Sequence, residues 1–112
     1  LTLVYGLAET PATYVARQFT IPNGLIQPAK IQVVLSQLLP ASTNITVSLQ
    51  TDTNTWTAVP RKQSVQELGE GWVDVLYEIP DIQKANGRIK IELTTDNYAN
   101  RPAVKNIRTM IV

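Results

Sequence analysis

Residues 87–93 read Gly-Arg-Ile-Lys-Ile-Glu-Leu, and this short stretch decides the fold class. Apolar side chains at Ile89, Ile91 and Leu93 alternate with charged side chains at the positions between them. Because successive side chains of an extended strand point to opposite faces, this alternation places one set in a core and the other in water. The stretch is therefore predicted to be a half-buried β-strand.

The same period of two recurs in three other stretches, centred on residues 33, 47 and 76. We expect the inward set of all four stretches to form the core of the protein. This predicted core consists of Ile31, Val33, Leu35, Ile45, Val47, Leu49, Val73, Val75, Ile89, Ile91 and Leu93. Weaker strand patterns cover Thr2–Tyr5, Thr13–Ile21, Thr55–Val59 and Ala103–Val112.

Turn-forming residues separate these stretches and set the architecture. About eight strands at this spacing predict an all-β fold, an antiparallel two-sheet β-sandwich that is jelly-roll-like. The last strand changes phase near Lys105-Asn106, which predicts a β-bulge there. A single helical turn is expected over Ile82–Asn86, with Asp81 as its N-cap. We expect residues 1–112 to be one domain and, since the chain begins at Leu1, a piece of a longer protein.

Charge argues against several classes of partner. Ten Lys and Arg residues face nine Asp and Glu residues, and a net charge of +1 is too small to indicate nucleic acid as a partner. No aliphatic run approaches the roughly 20 residues of a membrane helix, so membrane insertion is not expected. The charges cluster, however, with acids over Glu67–Asp81 and bases over Lys84–Arg108. This predicts that strand Trp72–Ile79 lies beside strand Gly87–Thr95, with Asp74 and Glu78 facing Arg88 and Lys90.

The residue types argue against catalysis. The chain has no His and no Cys, which excludes the common nucleophilic triads and zinc sites. Paired carboxylates, Glu67 with Glu70 or Asp74 with Glu78, remain the enzymatic route, although such positions are usually solvated charges. Oxygen-rich turns at Asp52 and Asp96 have the right chemistry for calcium, but they are also ordinary turn sequences. We expect no catalytic residue, no metal and no cofactor.

A ligand, if one binds, is expected at the loops. Connections of an antiparallel sandwich alternate between its two ends, so Gly6–Ala12, Leu39–Thr43, Pro60–Gly71 and Asp96–Pro102 should share one end. An aromatic face, planar donors and amides gather there, a mixture suited to sugars or to the loops of a partner protein. The candidate residues are Tyr98, Arg101, Asn97, Asn100, Arg61 and Lys62. Trp56 is a further candidate, expected toward the opposite end, and the outer sheet faces are expected to carry no aromatic.

Three stretches together resemble a known module. Leu38-Leu39-Pro40 precedes the strand Asn44–Thr51, Gly69-Glu70-Gly71-Trp72-Val73 forms a second block, and Arg101–Arg108 forms a third. This run of features is similar to a β-sandwich module near the ends of tail and baseplate-associated proteins of contractile-tailed phages and prophages. The resemblance covers about residues 30–112, and the family has no catalytic motif to carry over.

The resemblance implies a non-catalytic structural and adhesion module of a phage tail fibre or baseplate. Its partners would be other domains or subunits of the virion tail and host surface glycans, with homo-oligomerisation through the parent chain. Its location would be the virion tail, outside the cell. Two alternatives remain: a carbohydrate-binding module of a secreted bacterial enzyme, which would share the fold, and, ranked last, a glycoside-cleaving domain.

Overall fold

A computed structural model describes residues 2–4, 12–51, 54–96 and 101–112, the first of these ranges by its backbone alone. These residues form ten β-strands. They are β1 Thr2–Val4, β2 Ala12–Val15, β3 Phe19–Thr20, β4 Ala29–Leu38, β5 Thr43–Gln50, β6 Trp56–Ala58, β7 Arg61–Gly69, β8 Trp72–Ile82, β9 Asn86–Thr95 and β10 Ala103–Ile111. Across the described ranges, no helix is long and apolar enough to cross a membrane.

The strands form two antiparallel sheets. The first sheet has the order β1-β10-β4-β8-β7, and the second has β2-β9-β5-β6 with β3 also paired to β9. One set of pairs is nested along the chain: β1 with β10, β2 and β3 with β9, β4 with β8, and β5 with β6. Within each sheet, β10–β4 and β9–β5 join these pairs to one another. Successive pairs alternate between the two sheets, which is the connectivity of a jelly roll. The predicted all-β sandwich is confirmed. The expected strand Thr13–Ile21 is divided into β2 and β3, and β7 is added to the eight expected strands.

The inner faces of both sheets form the core. Every predicted core residue is buried except Val73, which is half-buried and packs against the others. Ile31, Val33 and Leu35 of β4 are completely inaccessible to solvent, as are Ile91 and Leu93 of β9. The strict alternation therefore identified the inward face of each strand correctly.

The predicted pairing of the acidic and basic strands is wrong. β8 lies between β4 and β7 in the first sheet, whereas β9 belongs to the second sheet. The acids of β8 pair with other bases. Oδ1 of Asp74 lies 3.5 Å from Nη2 of Arg108, and Oε2 of Glu78 lies 2.6 Å from Nζ of Lys62. Alternation determines which face a side chain occupies but not which strand lies beside it, and the chain crosses to the other sheet after β8.

The predicted helical turn over Ile82–Asn86 is also absent. β8 continues through Pro80 to Ile82, and Asp81 adopts a left-handed φ of 60° instead of capping a helix. The register with β4 shifts at this point, between Ala29 and Ile31. Such a bulge tolerates proline because its missing N–H is not needed for the ladder.

The predicted bulge in the last strand is confirmed. The register of β10 against β4 shifts between Lys105 and Arg108, and Asn106 within that interval has a φ of 54°. Asparagine tolerates this left-handed conformation better than most residues because its short side chain can hydrogen-bond locally.

The shared loop end is assembled in part. The backbone N–H of Asp96 donates to the carbonyl of Ser42 at 2.9 Å. This bond joins the loop that precedes β5 to the loop that follows β9. Residues 61–69, predicted as part of a loop, form β7 instead. Only its hairpin turn reaches this end, and Gly69 and Gly71 there have φ values of 92° and 85°, as a tight turn requires. Of the predicted loop Gly6–Ala12, all but Ala12 lies outside the described residues.

Candidate functional site

Two of the predicted ligand-binding residues, Arg61 and Lys62, are the first residues of strand β7 and do not lie in a loop. Arg61 pairs with Tyr77, which pairs in turn with Val33 at the middle of β4, so Arg61 lies on the edge strand of the first sheet, level with the middle of β4. Lys62 donates to Glu78 at 2.6 Å on the outer face of that sheet. The placement of Arg61 and Lys62 at the loop end is therefore wrong.

Arg101 does lie at the loop end. It is exposed and directly precedes Pro102, which is buried, and Ala103, which pairs with Leu38. Arg101 precedes β10, which lies on one side of β4, whereas Arg61 is on β7, which lies beyond β8 on the other side of β4. The described structure thus does not bring these two arginines together. Asn97, Tyr98 and Asn100, the other members of the predicted cluster, lie outside the described residues.

Trp56 lies at the opposite end, as expected, because it pairs with Gln50 at the far end of β5 from Thr43. The expectation that the outer faces lack aromatics is wrong. Trp56 and Trp72 both lie in the outward phase of their strands. A lysine nitrogen covers a face of each ring, with Lys90 at 4.6 Å from the Trp56 centroid and Lys105 at 4.2 Å from the Trp72 centroid. These cation–π contacts occupy surface that a stacked sugar would need.

A cleft of about 230 Å³ opens between the two sheets along the edge of β5. Its walls are partly apolar, from Leu39, Val47 and Val59. The edge is open because β6 pairs only with Ser48–Gln50, leaving the first half of β5 without a neighbour on that side among the described strands. The cleft therefore exists where the second sheet is narrower than the first.

The open edge supplies backbone hydrogen-bonding groups. The carbonyl of Val47 accepts from the N–H of Val59 at 2.8 Å, so it points away from β9. Backbone groups alternate in direction along an antiparallel strand. The N–H and C=O of Ile45, two residues earlier and also lining the cleft, hence point to the open edge.

Two buried polar side chains lie at the inner wall of the cleft. Gln37 is 4% exposed and Tyr77 is 5% exposed, and the Tyr77 hydroxyl donates to Oε1 of Gln37 at 2.8 Å. This bond uses the amide oxygen and leaves the amide N–H groups for a ligand. Burial raises the pKa of Tyr77, and the positive charge of Arg61 opposes this with a smaller effect. The phenol is consequently neutral at physiological pH and able to donate.

Arg61 gives the cleft its charge. Its Nη2 donates to the hydroxyl of Ser64 at 2.7 Å, a neutral partner. Of the described residues lining the cleft, none is Asp or Glu, and the other polar side chains are those of Asn44 and Thr46. The arrangement thus combines one cation, several neutral donors and acceptors, and apolar walls, which is the chemistry of noncovalent recognition.

Sequence reasoning missed Gln37 and Tyr77 as site residues, although a signal was present. Gln37 points to the same inner face of β4 as Ile31, Val33 and Leu35. A polar side chain on a buried face needs a hydrogen-bond partner there. Tyr77 occupies the same phase in β8.

The candidate calcium turns give no support for a metal site: within the described parts of the chain, no three Asp, Glu, His or Cys residues cluster, and Asp52 lies outside them.

Comparison with known proteins adds no family to this geometry. No protein-family model matches the chain, and no curated protein matches its sequence.

Proposed function

We propose that this chain is a non-catalytic structural and adhesion module of a phage tail fibre or baseplate, and that it contacts host surface glycans through the cleft between its sheets. The observation that carries the proposal is the pair Gln37 and Tyr77, two polar side chains buried at the wall of an open cleft. Buried polar groups without a functional reason are usually paired within the protein. Here the Gln37 amide lines the same cleft as the edge of β5 that no other described strand covers.

The rigid scaffold supports this function. Gln37 and Tyr77 come from adjacent central strands of the first sheet, and Ile45 comes from the second sheet. Groups held by packed strands lose little conformational freedom when a ligand binds, which favours affinity for a weakly binding ligand such as a sugar. A surface module that must retain its shape outside a cell benefits from the same rigidity.

The resemblance to phage tail modules supports the biological setting. Its first block runs from Leu38 to Thr51, and within this block lie Leu39 and the four consecutive residues 44–47, all of which line the cleft. The second block contains the hairpin turn between β7 and β8, which brings Arg61 alongside Tyr77. In this setting the partners are other domains or subunits of the virion tail, the parent chain forms a homo-oligomer, and the location is the virion tail.

A glycan array of bacterial surface polysaccharides tests the adhesion function. The purified chain should bind a subset of the printed glycans and should release no sugar from them. Asn44→Trp, an exposed lining position, should abolish binding by filling the cleft. Arg101→Ala should leave binding intact; if Arg101→Ala alone removes binding, the loop end is the site instead. Absence of binding to every glycan contradicts the adhesion function.

The same cleft would serve a carbohydrate-binding module of a secreted bacterial enzyme. The genes surrounding the coding sequence separate the two functions. Tail and lysis genes nearby support the virion module, whereas an adjoining hydrolase domain in the same reading frame supports the second.

A further inference from the structure

We propose that the cleft recognises a sugar that carries a carboxylate, such as a uronic acid, with the carboxylate bound by Arg61 and the ring hydroxyls by Gln37 and Ile45. This inference rests on the proposed glycan-binding function and specifies its ligand. The observations that carry it are the charge of the cleft, the exposure of that charge and the positions of the neutral donors.

The charge of the cleft selects an anion. Among the described residues that line the cleft, Arg61 is the charged one. Its guanidinium donates a hydrogen bond to the hydroxyl of Ser64. A carboxylate accepts two parallel bonds from a guanidinium, and such charge-assisted pairs are about twice as strong as neutral ones. A carboxylate would thus compete effectively with the Ser64 hydroxyl for Arg61.

The neighbouring base does not share this role. Lys62 donates to Glu78 at 2.6 Å, and Glu78 also accepts from Gln32 at 2.7 Å and lies 3.8 Å from Lys30. These groups form an ion network on the outer face of the first sheet, in which Lys62 already has a carboxylate partner. Consecutive residues of β7 therefore have different tasks, Lys62 in a surface ion network and Arg61 at the cleft.

The neutral groups of the cleft match sugar hydroxyls. A hydroxyl both donates and accepts, and the strand edge at Ile45 offers one N–H and one C=O. The Gln37 amide adds donors, and its orientation is fixed by the Tyr77 hydroxyl. At about 230 Å³ the cleft is smaller than the roughly 300–1,000 Å³ of pockets for drug-sized ligands, a size that suits a single sugar ring.

Titration calorimetry with D-glucuronate and D-glucose tests the inference at neutral pH. Glucuronate should bind more tightly than glucose by about 10-fold or more, since loss of a charge-assisted bond has an effect of this order. Arg61→Gln should remove the preference, and Arg61→Lys should keep part of it because the charge remains without the planar fork. Arg17→Gln, which removes the same charge from an exposed site beyond β2 at the opposite edge of the second sheet, should change nothing.

Amide NMR locates the bound sugar independently of affinity. Glucuronate should shift the side-chain amide signals of Gln37 and the backbone signal of Ile45 while leaving Arg17 unmoved. Equal affinity for the two sugars, or an unchanged preference in Arg61→Gln, overturns the inference. Array binding to neutral glycans with no response to glucuronate would overturn it while leaving the adhesion function intact, whereas no binding in either assay would remove both.

Discussion

Strands β4 and β7 belong to the same sheet, yet they have opposite relations to the core. β4 alternates buried and partly buried residues from Ala29 to Leu35, and Ile31, Val33 and Leu35 have no solvent exposure. All nine residues of β7 are exposed. β4 has a neighbour on each side, whereas β7 is an edge strand held by β8 with three register shifts.

The difference separates stability from recognition in this molecule. β4 and its counterparts in the second sheet bury the apolar surface that drives folding. β7 buries almost none, so its sequence is free to vary without loss of the core. Its first residue, Arg61, is the one that reaches the cleft. The irregular register also makes β7 a poor template for pairing with another chain.

The core positions should show the largest effects. Ile91→Ala or Val47→Ala should lower the free energy of unfolding by about 1–4 kcal/mol, through lost burial and the cavity left behind. Both side chains are at most 1% exposed. Urea midpoints of the two variants measure the loss. Midpoints equal to that of the parent chain would mean that these side chains are not in the core.

The buried polar pair should show an intermediate effect. Tyr77→Phe leaves Oε1 of Gln37 without its donor, at a cost of about 1 kcal/mol, since water in the cleft can replace part of the lost bond. Thermal unfolding measures this change. Full stability in Tyr77→Phe would indicate that the amide already finds another partner.

The surface ion network should show a smaller, pH-dependent effect. Hydrogen bonds from Lys62 and Gln32, in that order of importance, hold the pKa of Glu78 below its ordinary value of 4.5. A lowered pKa in the folded state means that this stabilisation is present above pH 4.5 and is lost as the pH falls through the lowered value.

Unfolding curves between pH 7 and pH 2 compare the parent chain with Glu78→Gln. The stability difference between the two should shrink steadily on acidification. A difference that stays constant with pH would show that the carboxylate charge contributes nothing there.

Substitution within β7 should show the smallest effect. Val65 is 55% exposed, and Val65→Ala should change the free energy of unfolding by no more than about 0.5 kcal/mol. Denaturant unfolding checks this, with Val47→Ala as the matched change on a buried strand. A loss as large as that of Val47→Ala would mean that β7 packs against something, and the comparison with β4 would fail.

The same contrast explains what could be predicted from the sequence. Strands such as β4 and β9 were predictable because one face is buried and the other is not, which leaves an alternating pattern. β7 has no buried face, so residues 61–69 carry no such pattern, and their sequence predicts a loop. Pairing was not predictable from charge, because the acids of β8 found bases on β7 and β10 instead of those on β9.

The cleft was predictable only in part. The chemistry of Arg61 indicates a binding residue, but the expected position in a loop is wrong, since Arg61 lies on β7 and lines the cleft. Gln37 was detectable as a polar residue in an inward phase, whereas the open edge at Ile45 depends on the shortness of β6. The length of a pairing partner is a property of the assembled sheets, and no local pattern in β5 reports it.

The nested pairing of the strands has a consequence for the order of folding. The β5–β6 pair closes the shortest loop of the nested set, and each pair outside it closes a longer one, up to β1 with β10. Closure entropy rises with loop length, so the inner pairs should form first and reduce the cost of the outer ones. Folds dominated by such distant pairings typically require milliseconds to seconds to form. The terminal strands should therefore join last, and stopped-flow refolding should detect their closure as the final step.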